Sequence, residues 1–134
     1  MCQKGESVLK FQHVHHVAII ASDYEKTMDF YVKKLGFEVL RESHRPEKGD
    51  IKLDLKFGDQ ELEIFVVPNA PARPNYPESL GLRHLAFKVE NVKETVAWLN
   101  ERGIETEPIR FDTYTNNHMT FFKDPDGLPL EIHE

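Results

Sequence analysis

Hydrophobic and polar positions along the chain alternate in short runs, and helical spacing interrupts the alternation twice. From His13 to Ala21, Val17, Ile19 and Ala21 fall on one side and His16, Ala18 and Ile20 on the other, which predicts a strand with two occupied faces. His15 falls with Val17 and Ile19 on the side expected to pack on a helix. Ser22 or Asp23 then caps a helix over Tyr24 to Leu35, with Met28, Tyr31 and Leu35 as its apolar stripe and Gly36 as its stop. Phe37 to Ser43 reads as a strand, and His44 to Asp50 as a polar turn. Ile51, Leu53, Leu55 and Phe57 alternate with Lys52, Asp54 and Lys56, the pattern of a half-buried strand. Gly58-Asp59 turns the chain into Glu61 to Val67, where Leu62, Ile64 and Val66 share one face and leave Glu63 and Phe65 on the other.

Residues 68–81 contain Pro68, Pro71, Pro74 and Pro77, a density that no regular element survives. This stretch reads as a linker long enough to fold over a site as a flap. Beyond it the same order of elements returns. Arg83 to Val89 is a strand with His84, Ala86 and Lys88 on one face, and Asn91 caps a helix whose stripe is Val92, Val96 and Leu99, ended by Gly103. Ile104 to Glu107 is expected as a short strand and Pro108 to Thr115 as a loop. Asn117 to Lys123 is a strand, Asp124-Pro125-Asp126-Gly127 a tight turn, and Leu128 to His133 the last strand.

The two halves are one pattern used twice. Each closes on the same tripeptide, Leu62-Glu63-Ile64 and Leu130-Glu131-Ile132, and 47 positions separate His16 from Glu63 and His84 from Glu131. The fold class expected is α+β: paired βαβββ modules, 13–67 and 82–134, joined by the linker 68–81 into a single domain (13–134) with a curved mixed sheet. Residues 1–12 are expected to be a mobile tail.

At 134 residues the length suits one domain, and 40% hydrophobic with 30% charged residues is ordinary for a globular protein. A formal net charge of −6 disfavours nucleic acid or an anionic membrane surface as the main partner. Cys2 is the single cysteine, so an intrachain disulfide is excluded and a thiolate metal site is not expected. Without a signal-like start or a long apolar run, the expected location is cytoplasmic.

In both modules the apolar neighbours of the His and the Glu define the helix-packing face, so His16, Glu63, His84 and Glu131 point the other way. If the sheets curve together edge to edge, these four line one concave surface. Clustered carboxylates there repel and lose hydration, and one divalent cation removes that cost. Two imidazoles and two carboxylates suit Zn, Ni, Co, Mn or Fe. Singly, each residue reads as an ordinary strand residue; the matched pairs at matched positions are what point to a site. His13, His44, His118 and His133 have no counterpart in the other module, and His118 and His133 are kept only as candidates to support the ligands. Tyr76 and Tyr114 are candidates to border a pocket.

The motifs His15-His16-Val17-Ala18-Ile19, Asp29-Phe30-Tyr31 with Leu35-Gly36-Phe37, Arg83-His84-Leu85-Ala86-Phe87, and Asp124-Pro125-Asp126-Gly127 before Leu130-Glu131-Ile132 resemble the vicinal oxygen chelate superfamily. The likeness runs from about His13 to His133 and is greatest to the glyoxalase I (lactoylglutathione lyase) branch. It implies His16, Glu63, His84 and Glu131 as metal ligands, Glu131 as the favoured base with Glu63 as its counterpart, and proton transfer through a metal-bound enediolate of a small α-oxo or hemithioacetal substrate. It also implies a homodimer, with ligands from one chain or shared across two. Two positions depart from that branch. Bacterial glyoxalase I carries Arg four residues after the first His and Asn four after the first Glu; Ile20 and Val67 stand here, and neither pairs with a glutathione carboxylate. The same scaffold also hosts extradiol dioxygenases, fosfomycin-resistance transferases and non-catalytic small-molecule binders, which are the alternative readings.

Overall fold

The computed structural model describes residues 9–134; residues 1–8, most of the expected tail, lie outside the described residues. The first module contains β1 (His16–Ala21), α1 (Tyr24–Thr27) continuing as a π-helical stretch (Met28–Lys34), β2 (Glu38–Arg45), β3 (Asp50–Phe57) and β4 (Gln60–Val66). The second contains β5 (Leu85–Lys88), α2 (Val92–Glu101), β6 (Arg110–Asp112), β7 (Asn117–Lys123) and β8 (Pro129–His133). Each module forms its own four-stranded mixed sheet, in the orders β1-β4-β3-β2 and β5-β8-β7-β6. In each, the first strand runs parallel to the last and the other pairs are antiparallel.

The helices begin where side chains satisfy the free N–H groups of the first turn. Asp23 accepts from Lys26 N at 2.8 Å and Asn91 from Glu94 N at 2.9 Å. Both helices end on a glycine in the left-handed region, Gly36 (φ 79°) and Gly103 (φ 76°), where a side chain would be strained. The stripe of the first helix differs from a 3.6-residue count. Its wider turn, with Leu35 N reaching Phe30 O, rotates Phe30 inward beside Tyr31, while Met28 and Leu35 stay at the margin of the core.

One continuous core serves both modules. Leu53, Leu55, Leu62 and Ile64 of the first sheet are fully buried, as are Val92 of α2 and Leu130 of β8, and they belong to one cluster. The Phe57 ring sits 4.9 Å from Phe37 and 5.2 Å from Phe87 across the module boundary, and Phe30 meets Phe122 at 6.3 Å. Polar ties accompany these contacts: the Tyr31 hydroxyl donates to Asp124 at 2.8 Å, and Ser22 donates through its amide and hydroxyl to Asp126.

Two elements fall elsewhere than periodicity predicts. Ile104 to Glu107 is not a strand. Ile104 is buried as an anchor behind α2, Glu107 N makes one bond to Phe121 O, and Pro108 lacks the N–H to continue; pairing resumes one turn later, in β6, with Arg110 opposite Met119. The fifth strand starts at Leu85 rather than Arg83, because the carbonyls of Leu82 and Arg83 accept instead from the Arg73 guanidinium at 3.0 and 2.8 Å.

Candidate metal centre

Parallel pairing puts the same residues opposite each other in the two modules. Ala18 lies opposite Glu63 and Ala86 opposite Glu131, and each Ala follows its His by two positions. Since i and i+2 of a strand share a face, each His is carried to the open face that holds its Glu. His16 Nε2 stands 3.4 Å from Glu63 Oε2, and His84 Nε2 stands 3.0 Å from Glu131 Oε1. Each pair, a candidate half-site, brings one nitrogen and one oxygen to the same space. Among the described residues no group of three or more His, Cys, Asp or Glu is gathered tightly enough to hold one ion. The sequence expectation of four groups on one concave surface becomes, within one chain, two separate pairs, one on each sheet.

The surroundings of the two half-sites differ, and the difference follows from the third strand of each sheet. Opposite Glu63 in β3 lies Asp54; opposite Glu131 in β7 lies Phe121. Lys52 Nζ stands 3.8 Å from Glu63 and 3.4 Å from Asp54, and Arg41 donates to the other Asp54 oxygen at 3.0 Å. Asp54 is only 2% exposed, and its Oδ1 has no hydrogen-bond partner. Alternation marks Ile51 to Phe57 as a half-buried strand, and nothing in it shows that Asp54 is a buried carboxylate. At the second half-site Glu131 is 8% exposed and the His84 ring stands edge-on to Phe121 at 5.0 Å.

The rear nitrogens of the two imidazoles are also held. His16 Nδ1 lies 2.9 Å from His15 Nδ1. His15 is exposed rather than packed on the helix, since it lies before β1 begins, and it is placed to fix the tautomer of His16. Arg83 donates to His84 Nδ1 at 3.0 Å. A neutral His84 with that contact carries its proton on Nε2, facing Glu131; ligation through Nε2 requires the proton on Nδ1 and the release of Arg83. The donor chemistry, imidazole nitrogens and carboxylates without thiolates, is of the kind that suits a borderline divalent ion, with each pair supplying two of the donors.

The remaining candidates are accounted for by their own neighbours. His133 Nε2 meets Asp112 at 3.0 Å, and that carboxylate holds the imidazole above its ordinary value while the imidazole holds Asp112 low. His118 pairs with Glu134 at 3.3 Å. Ile20 lies on the open face with His16 and is 56% exposed; Val67 follows β4. Tyr76 and Tyr114 are both exposed loop residues, and of the two Tyr76 borders a cavity beside the second half-site. That cavity is lined by Arg73, Arg83 and Arg110, which periodicity did not single out.

The chain matches the Glyoxalase/Bleomycin resistance protein/Dioxygenase superfamily over residues 13–132 and belongs to that superfamily. It is 54% identical over 122 residues to the uncharacterized protein YwkD of Bacillus subtilis, covering 90% of this chain and 95% of that protein. The crystal structure of a glyoxalase family protein from Enterococcus faecalis superposes with a TM-score of 0.89 at 70% identity, covering 92% of this chain and 98% of that one. More distantly, the lactoylglutathione lyase of Escherichia coli O157:H7 is 26% identical over 124 residues, 89% of this chain and 90% of that protein. No helix among the described residues is long and apolar enough to cross a membrane.

Proposed function

We propose that the protein is a metal-dependent lyase or isomerase of the glyoxalase I type, acting on a small α-oxo compound or its thiol adduct. His16 and Glu63 of one copy and His84 and Glu131 of a second would hold one divalent ion, Zn, Ni, Co, Mn or Fe. The observation that carries this reading is the repeated register: Ala18 opposite Glu63 and Ala86 opposite Glu131, with an imidazole Nε2 turned to the carboxylate in both modules. Two half-sites in one chain, neither complete alone, are what a two-fold pair of copies would close into two whole sites. When bound, the ion supplies a Lewis acid for a carbonyl oxygen and offsets charge that develops beside it.

The chain's own groups supply the rest. Glu131 moves the proton at the carbon beside the carbonyl; it sits between His84 and Phe121, sheltered from water, and general acid–base help of this kind is worth about 10²–10⁴-fold. Glu63 is its counterpart on the other face, with the Lys52 ammonium beside it. Ile20 and Val67 offer no charge or donor side chain to a glutathione carboxylate, so glutathione is not the expected thiol.

Mixing variants tests the shared site. His16→Ala and His84→Ala each remove one ligand from every site of their own dimer. A mixed dimer, however, keeps one intact site, so co-refolding equal amounts should recover roughly a quarter of the wild-type metal content and turnover. No recovery, with each variant alone inert, would place all ligands in one chain; full metal retention by either variant would refute the ligand set. In the same screen, methylglyoxal with glutathione should turn over poorly against other thiols, and efficient turnover would show that Ile20 and Val67 do not set the specificity.

A further inference from the structure

The proline-rich linker folds back over the open face of the second sheet. Asn75 Nδ2 donates to Gly127 O at 2.9 Å, an approach that brings the amide to 3.4 Å from where a Cβ on Gly127 would stand. Arg73 ties the linker to the start of β5 through the carbonyls of Leu82 and Arg83, and its Nε donates to Asn75 Oδ1 at 2.9 Å. Between linker and sheet lies a cavity of about 100 Å³. Arg73, Arg83, Arg110 and Lys123 contribute cations to its wall, and Glu78 and Glu107 contribute carboxylates.

The balance of charge in this cavity is opposite to that of the chain, whose net charge is −6. Glu78 pairs with Arg83 at 2.5 Å and Glu107 with Arg110. Among the described residues no carboxylate stands within ion-pair distance of Arg73 or Lys123. Arg73 is only partly exposed, and the groups it bonds are neutral oxygens, so its charge is fixed in place but not neutralised. A guanidinium held in this way is preorganised for an oxyanion and need not be desolvated anew.

The cavity adjoins the second half-site. Phe121 lines it and also meets the His84 ring, and the Arg110 guanidinium lies 5.5 Å from the centre of the Phe121 ring. Arg83 lines it and touches His84 directly.

We infer that this cavity binds an oxyanion group of the substrate, a carboxylate or a phosphate, with Arg73 and Lys123 as its principal partners. The substrate is then an anionic α-oxo compound, long enough to pass Phe121 with its reactive carbonyl at His84 and Glu131. This inference rests on the metal-site reading for the position of the carbonyl, but anion binding itself is independent of the metal.

The test therefore uses metal-stripped full-length protein. Titration with inorganic phosphate and, separately, with malonate, followed by calorimetry and by amide NMR shifts, should show saturable binding that weakens as salt is added. The anion that binds more tightly identifies the substrate's group. Arg73→Gln should weaken binding about tenfold or more. Since Arg73 also anchors the linker, Lys123→Gln serves as the variant without an anchoring role and should weaken it in the same direction. Absence of saturable binding by either anion, or binding unmoved by both substitutions, overturns the inference. Metal content measured on separate unstripped samples reports on the metal reading alone, so the two can fail separately.

Discussion

Glu131 and Glu63 are chemically the same group in the same register, and their neighbours differ. Glu131 faces an aromatic ring and an imidazole; Glu63 faces an ammonium and a buried carboxylate. Glu131 is enclosed beside the Phe121 ring, where bulk water does not compete for a transferred proton, whereas Glu63 is engaged with the Lys52 ammonium. Glu131→Gln should therefore lower turnover by at least about 10²-fold with a smaller loss of bound metal, read by parallel kinetics and metal analysis. Equal loss of both would make Glu131 a ligand without a proton-transfer role. At this scale the sequence was informative about the four residues and silent about their neighbours. His16, Glu63, His84 and Glu131 repeat, and repetition is visible in one dimension. Lys52, Asp54 and Arg73 do not repeat, and their importance comes from what lies across a strand or a linker from them.

Among the elements, strands with strict alternation were the most legible: β3 and β7 fall where the pattern of Ile51 to Phe57 and Asn117 to Lys123 puts them. The first helix was legible in extent but not in pitch, because a π-type stretch reassigns which residues point inward, and single-sequence periodicity assumes a regular turn. Its end is more determinate. Gly36 adopts φ 79°, and a Cβ there would meet nothing within 4 Å, so Gly36→Ala should cost only the backbone conformation, about 1 kcal/mol. Urea denaturation would measure it; a cost of several kcal/mol would reveal a tertiary contact at that turn. The short strand near residue 105 failed for a related reason. Ile104 is apolar because it closes the core behind α2, not because it alternates within a sheet.

At the scale of the whole molecule, polar ties join the two modules, as does the shared core. The Tyr31 to Asp124 bond is the most enclosed of these. Burial raises the Asp124 carboxyl above its ordinary 3.8, while the Tyr31 hydroxyl and two backbone amides pull it back. Burial and Asp124 drive the Tyr31 phenol far upward, so it remains a donor at every working pH. The contribution of this one acid to stability is fully present below its unfolded value and is lost as pH climbs through the raised folded value. Tyr31→Phe removes a donor to the ionised form and moves that value further up. It should cost about 1–3 kcal/mol at neutral pH and less near pH 4, measured by denaturant unfolding at the two conditions; an equal loss at both would mean Asp124 is not the group responsible. Sequence alone determined that two like modules exist, which face of each strand is apolar, and which His and Glu stand on the opposite face, because these are consequences of local period and of an internal repeat. Tertiary structure alone decided that one chain keeps its two His–Glu pairs apart and that the linker closes a cationic cavity beside one of them. Those are distances between segments remote in the chain, set by how the modules pack, and no local pattern encodes them.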